Sequence, residues 1–264
     1  MNQALAARVA TAAALIVAFL AALFFLPRPG WAALVALIVA AAGHEWARLC
    51  RLSGIGAGLY AIAVAAIFGV LFVSGEPARR FAVVAATLFW IFVVPIWLAR
   101  GVDARHRVAL IAAGFMVLVP AAVALAALQP QHVLAVLVLV WVADTAAYFV
   151  GRKWGRRKLA PAISPGKSWE GAWAGVAAAV AYAIICGTFL IGIRWWLGYV
   201  LVAVLLAVIS IVGDLFESAA KRQAGVKDSG ALLPGHGGIL DRIDSATAVL
   251  PVFAALLVVE VASK

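Results

Sequence analysis

Nine apolar runs, each close to the thickness of a bilayer, follow one another through this chain: residues 9–26, 31–47, 56–73, 81–98, 108–128, 133–150, 172–192, 195–212 and 245–261. Water cannot satisfy backbone N–H and C=O groups inside lipid, so such runs have to become helices that satisfy themselves. The charged fraction of 12% excludes a soluble globular domain, where about 25% is usual. The expected fold is therefore all-α: a polytopic integral membrane protein of about nine transmembrane helices in a single membrane domain, 1–264. Residues 1–132 read mainly as scaffold and 133–264 as the part that carries a polar site.

The first run is read as an uncleaved helix rather than a signal peptide, because many spans follow it. Gly, Ala and Val are abundant in the first five runs, which permits the close helix contact that lipid favours. Pro95 and Pro120 are expected to kink their helices. Cys50 and Cys186 are isolated, lack metal-ligand spacing and read as packing residues. Glu45 ends the second run beside Arg48 and reads as an interface charge, with a place in the polar site as the alternative.

The polar segment 213–245 stands apart from all this. It holds Asp214, Glu217, Asp228, Asp241 and Asp244, five of the chain's eleven carboxylates, among Lys221, Arg222, Lys227, His236 and Arg242. Acids hold a hard cation and bases hold phosphate oxygens, so their mixture suits a phosphate-handling site. Helical spacing sets Asp214, Glu217, Ser218 and Lys221 on one face. The glycines between, notably Gly237 and Gly238, bend the chain and can offer backbone N–H donors to a ligand. Upstream, Asp144 lies within the sixth run with Thr145 and Tyr148 on its face. A carboxylate at the centre of a span costs about 2.5–3.5 kcal/mol, so it should face the bundle interior or a wet cavity. The connection 151–171 carries six bases and Ser164-Pro165-Gly166-Lys167-Ser168, which looks phosphate-directed. It is no P-loop: the first glycine of that motif would fall at Pro161, and no soluble strand precedes it.

Lys and Arg collect on the cytoplasmic side of membrane proteins. With the N-terminus inside, that side takes Arg8, Arg48, Arg51, Arg100, Arg105, Arg107, the six bases of 151–171, Lys221, Arg222, Lys227 and Arg242, sixteen of 21. Both polar blocks then face the cytoplasm and the C-terminus lies opposite. The net charge of +10 fits loops on an anionic leaflet; no nucleic-acid module accompanies it.

Ser218, Lys221-Arg222, Lys227-Asp228, Gly230, Leu233-Pro234, His236-Gly237-Gly238-Ile239 and Asp241-Arg242-Ile243-Asp244 resemble the C-terminal signature of the phosphatidate cytidylyltransferases, or CDP-diacylglycerol synthases. Trp141, Asp144-Thr145, Tyr148, Gly151-Arg152, Lys158 to Pro161, Ser164 to Lys167 and Trp169-Glu170-Gly171 are similar to a second block of that family. Ala220 and Ser168 replace a larger apolar residue and a threonine. Glu45-Trp46-Ala47-Arg48 is similar to a short run in these enzymes. The resemblance implies an inner-membrane enzyme of phospholipid biosynthesis that joins phosphatidic acid to CTP and releases pyrophosphate and CDP-diacylglycerol. It implies Mg²⁺ or another divalent cation, with a second cation left open, on Asp214, Asp228, Asp241 and Asp244. Lys227, His236 and Arg242 join those aspartates as expected catalytic residues. Asp144, Ser164, Gly166, Lys167, Lys221, Arg222, Gly237 and Gly238 are the expected nucleotide and phosphate contacts. CTP, phosphatidic acid and the bilayer are the implied partners, and a homodimer is compatible with this reading.

Three other classes were weighed. A transporter would set its polar residues near the bilayer midplane, often in repeated halves; here they cluster at one face, with Asp144 the exception. A CTP-dependent lipid kinase would release CDP instead of pyrophosphate. A structural subunit has no use for five clustered carboxylates.

Overall fold

The computed structural model describes residues 3–188, 196–232 and 237–262. Its helices are α1 (Gln3–Phe25), α2 (Arg28–Leu49), α3 (Gly54–Val73), α4 (Glu76–Leu88), α5 (Val94–Arg100), α6 (Arg107–Ala127), α7 (Pro130–Trp154), α8 (Trp169–Cys186), α9 (Trp196–Ala224) and α10 (Leu240–Ala262). α4 and α5 form one continuous rod through a π-helical turn, Phe89–Val93. That turn lies just before Pro95, which lacks an N–H and crowds the carbonyl four residues back, so the widened turn is where the expected disturbance falls. Among the described residues seven helical rods are long and apolar enough to cross a membrane: α2, α3, α4–α5 and α6 to α9. The protein is an all-α polytopic membrane protein.

α6 is the most buried of these rods and α8 the least. Around α6 the packing is keyed by hydrogen bonds that aromatic side chains donate to its carbonyls. Trp46 Nε1–H reaches Leu110 O at 2.8 Å, and Tyr60 O–H reaches Ile111 O at 2.7 Å. Both side chains fill the space that a Cβ at Gly114 would need, which is why the helix carries glycine there. The buried apolar cluster runs from Leu23 to Ala255, so the scaffold half and the site half share one core.

The connection between α7 and α8 is more ordered than the plain basic loop that sequence suggests. β1 (Lys158–Ala160) and β2 (Ser164–Ser168) pair antiparallel, and β2 contains Ser164, Gly166 and Lys167. Ser168 caps α8 by accepting from Gly171 N–H, and Glu170 accepts from the N–H groups of Arg156 and Arg157. Below the hairpin, α7 and α8 meet through small residues: a Cβ on Gly175 would sit 3.0 Å from Ala143 O. This close crossing sets the hairpin directly above the end of α7.

Four polar connections belong to one face of the bundle. Arg51 donates to Gln223 O at 3.3 Å, Gln223 Nε2–H to Leu49 O at 2.9 Å, and Arg107 to Arg51 O at 3.2 Å. Arg222 donates to Ile163 O at 3.2 Å and so ties in the hairpin.

Candidate active site

The site grows from the last two turns of α9. Ser218 Oγ–H donates to Asp214 Oδ1 at 3.2 Å and Lys221 Nζ–H to Glu217 Oε1 at 3.0 Å, the i,i+4 pairs that the spacing anticipates. Behind this face Phe216 is buried among Trp46, Phe89, Trp90 and Trp97, with ring centroids 5.4–6.2 Å away. Gly213 lets α10 approach so closely that a Cβ would lie 3.0 Å from Asp244 O and 2.9 Å from Ala248. The start of α10 is thereby set against the charged face of α9.

Two clusters result. In the first, Lys167 from the hairpin reaches Asp214 Oδ2 at 2.5 Å, with both side chains about a quarter exposed. Asp144 on α7 is exposed beside this pair, and Asp214 and Lys167 are the charges that act on it. Asp244 faces Asp214 as well, with Lys167 and Lys221 as its cationic neighbours. Three carboxylates from three helices thus lie within electrostatic reach of one ammonium group, which contacts Asp214.

The second cluster is a closed knot. Asp241 accepts from Lys221 Nζ at 2.7 Å, Ser229 N–H at 2.9 Å and Gly238 N–H at 2.9 Å. Glu45, only 3% exposed, accepts from Ile239 N–H at 3.0 Å and Leu240 N–H at 2.9 Å. The hydroxyl proton of Ser229 lies between Glu45 Oε2 at 2.8 Å and Asp241 Oδ2 at 3.1 Å. Glu45 and Asp241 together satisfy the N–H groups that lead into α10, a cap assembled from both sides of the loop. Glu45 also fills the space where Gly230 and Gly238 would otherwise carry a Cβ. Gly237 stands at φ +83, in the left-handed region that favours glycine.

Several expected residues have different surroundings from those that sequence suggests. Gly238 was expected to offer its N–H to a ligand; it is spent on Asp241. Arg222, expected on phosphate, donates to Ile163 O and Val226 O at 3.2 Å and braces the loop. Lys221 is held between Glu217 and Asp241. Gly166 stands in open space, with nothing near enough to require glycine. Ser164 lies half-buried in β2, while Lys227, Asp228 and Arg242 are exposed, Asp228 beside Gly237. His236 falls outside the described residues. Glu45, which reads as an interface charge, is instead the centre of the knot. Its signal was available in kind: a carboxylate at the membrane end of an apolar run needs a buried partner.

Among the described residues no three His, Cys, Asp or Glu side chains are already drawn together as a metal cage. The donor chemistry nevertheless fits a divalent cation. Asp144, Asp214 and Asp244 supply hard oxygen donors, and the cation already drawn in among them is an ammonium.

Fold and side-chain chemistry together mark a membrane-embedded enzyme whose polar face gathers carboxylates and basic side chains. The chain belongs to the cytidylyltransferase family, whose model matches residues 6–259. It is 40% identical to a phosphatidate cytidylyltransferase of Pseudomonas aeruginosa over 260 residues, 95% of this chain and 96% of that one. Over 134 residues it is 49% identical to a phosphatidate cytidylyltransferase of Haemophilus influenzae, covering 48% of this chain and 46% of that one. A phosphatidate cytidylyltransferase of Brucella suis is 46% identical over 121 residues, 45% of this chain and 44% of that one.

Proposed function

We infer that the chain catalyses CTP + phosphatidate → CDP-diacylglycerol + pyrophosphate at the inner membrane. The observation that carries this reading is near full-length identity to a phosphatidate cytidylyltransferase in a chain whose Lys167–Asp214 pair opens beside Asp144 and Asp244. A phosphatidate oxygen attacks the α-phosphorus of CTP; the new P–O bond forms as the α–β P–O bond breaks, and its electron pair leaves with pyrophosphate. A phosphomonoester has a second pKa of about 6, so the nucleophile is largely ionised at neutral pH and needs no general base. The protein's work is positioning and charge neutralisation. Lys167 leaves Asp214 for a phosphate oxygen of the nucleotide, and the exposed Lys227 and Arg242 hold the remaining phosphates. Asp214 and Asp244, with Asp144, would hold a divalent cation such as Mg²⁺, which would supply charge neutralisation at the leaving group. Asp241 belongs to the same site as a positioning residue, because its hydrogen bonds fix the start of α10 on which Asp244 sits. With nine crossings, sixteen of 21 bases fall on one side, which supports a cytoplasmic N-terminus and a cytoplasmic site.

The test uses purified protein with phosphatidic acid and CTP labelled at either the α or the γ phosphate. The α label should enter lipid and the γ label should appear in pyrophosphate. Transfer of the γ label to lipid, with release of CDP, would sink this reading in favour of a lipid kinase.

A further inference from the structure

A concave region that shares no lining residue with this site lies at the corner where α5 turns into α6. Phe92, Val93 and Ile96 line it from one side of the α4–α5 rod and are 59%, 47% and 53% exposed. Arg100 lies one turn beyond Ile96 on the same strip, and Arg105 and His106 close the end of the cleft. Its volume of about 730 Å³ falls within the range of about 300–1,000 Å³ usual for small-molecule sites.

The strip is apolar at one end and basic at the other. From Phe92 to Arg100 a helix advances about 12 Å, enough for the upper part of an acyl chain to lie along the rod below a headgroup at the arginines. Arg100 makes no hydrogen bond or ion pair among the described residues. Arg105 is oriented by Asp103, whose carboxylate accepts from its guanidinium at 2.9 and 3.1 Å and offsets one of the two charges. That hydrogen bond holds the Asp103 carboxyl below its ordinary range, so the pair stays ionic at neutral pH. His106 accepts from Trp97 Nε1–H at Nδ1, at 3.4 Å, which leaves its Nε2–H as a donor. A positive-inside bias accounts for bases at this corner. It does not account for a concavity closed by two arginines and a histidine, in which Arg100 has no partner among the described residues.

We propose that this cleft is a binding site for an anionic phospholipid, separate from the reaction pocket, with the phosphate on Arg100, Arg105 and His106 and one acyl chain along Phe92, Val93 and Ile96. Trp97 lines the cleft and also packs on Phe216 at 5.4 Å, so a bound lipid touches a ring seated behind Asp214 and Glu217.

Native mass spectrometry of the full-length protein, offered equal phosphatidylglycerol and phosphatidylcholine in neutral detergent, tests this. The wild type should retain phosphatidylglycerol about fivefold over phosphatidylcholine, as expected for one net basic charge at a membrane surface. Arg100→Gln with Arg105→Gln, which leaves the Asp103 charge uncompensated, should bring the ratio to one or below, whereas Arg100→Lys with Arg105→Lys should keep most of it. Asp214→Asn, in the reaction pocket, should leave the ratio unchanged. The proposal is overturned if the Gln pair retains phosphatidylglycerol as the wild type does, or if the ratio falls with Asp214→Asn instead. Displacement of the lipid by millimolar inorganic phosphate would overturn it too, because a headgroup-only site has no use for the apolar strip.

Discussion

The two carboxylate clusters at the polar face share a helix, a wall and a chemistry, yet they are finished differently. Around Glu45 and Asp241 the acceptor oxygens are taken up by Lys221, Ser229 and the N–H groups of Gly238, Ile239 and Leu240. Around Lys167 the oxygens are underused. Asp214 takes one ammonium and one hydroxyl, Asp244 accepts a backbone N–H from Ser245, and Asp144 has no hydrogen bond among the described residues. Filled acceptors rigidify, whereas unfilled ones in mutual repulsion hold a place for a cation. On the proposed mechanism the knot positions and the open cluster reacts, although Asp241 of the one and Asp244 of the other are only three residues apart in sequence.

The sharpest way to break this distinction is Asp214→Asn. Turnover should fall about a hundredfold or more, equivalent to about 2.7 kcal/mol of barrier, while Tm stays near that of the unmutated protein. Turnover within about threefold of normal would remove Asp214 from the chemistry. Asp241→Asn should show the reverse balance. It leaves Lys221 nearly buried without its full counter-charge, so stability should fall by about 3 kcal/mol, with a smaller loss of turnover that extra Mg²⁺ does not restore. Rescue by Mg²⁺ would return Asp241 to the metal.

Glu45→Gln is the next step down. One N–H acceptor becomes a donor facing other donors, at a cost of about 1–3 kcal/mol. Amide exchange should accelerate at Ser229 and Ile239 to Asp241, with the exchange of α6 unchanged. Uniform acceleration would mean that Glu45 supports the whole bundle instead of the loop. The last test reads labelling and not turnover: single cysteines at exposed positions 157 and 227 should both react with a membrane-impermeant thiol reagent only from the cytoplasmic side. Labelling of one from each side would separate the hairpin from the loop and dissolve the shared site.

Composition and run length made the positions of the helical rods legible, since the bilayer dictates both, but not all their ends: α9 continues to Ala224, twelve residues past the expected end of the run at Val212. The α9 face was legible for the same kind of reason: Asp214, Ser218, Glu217 and Lys221 are local neighbours and obey helical spacing. Asp144 could be singled out because a carboxylate has few reasons to sit in a span. What stayed hidden was pairing across the chain. Glu45 meets Ser229 across 184 residues, and no local pattern encodes that contact. A separation of 59 residues hid the bracing role of Arg222, whose partner is a backbone carbonyl of Ile163 and so leaves no side-chain signature. The hairpin was obscured by composition, because Pro165 and Gly166 weaken any strand reading of β2.

The open cluster also has a history within each newly made molecule. Asp144 leaves the ribosome ahead of Lys167, and Lys167 ahead of Asp214, so α7 enters the bilayer carrying a carboxylate whose counter-charge has yet to be synthesised. A chain halted after α8 holds the lysine and lacks the aspartate that fixes it; one halted before α10 leaves Glu45 without the N–H of Leu240. The constellation closes only when the last helix arrives, so a truncated product can carry nearly every span and still have no active centre.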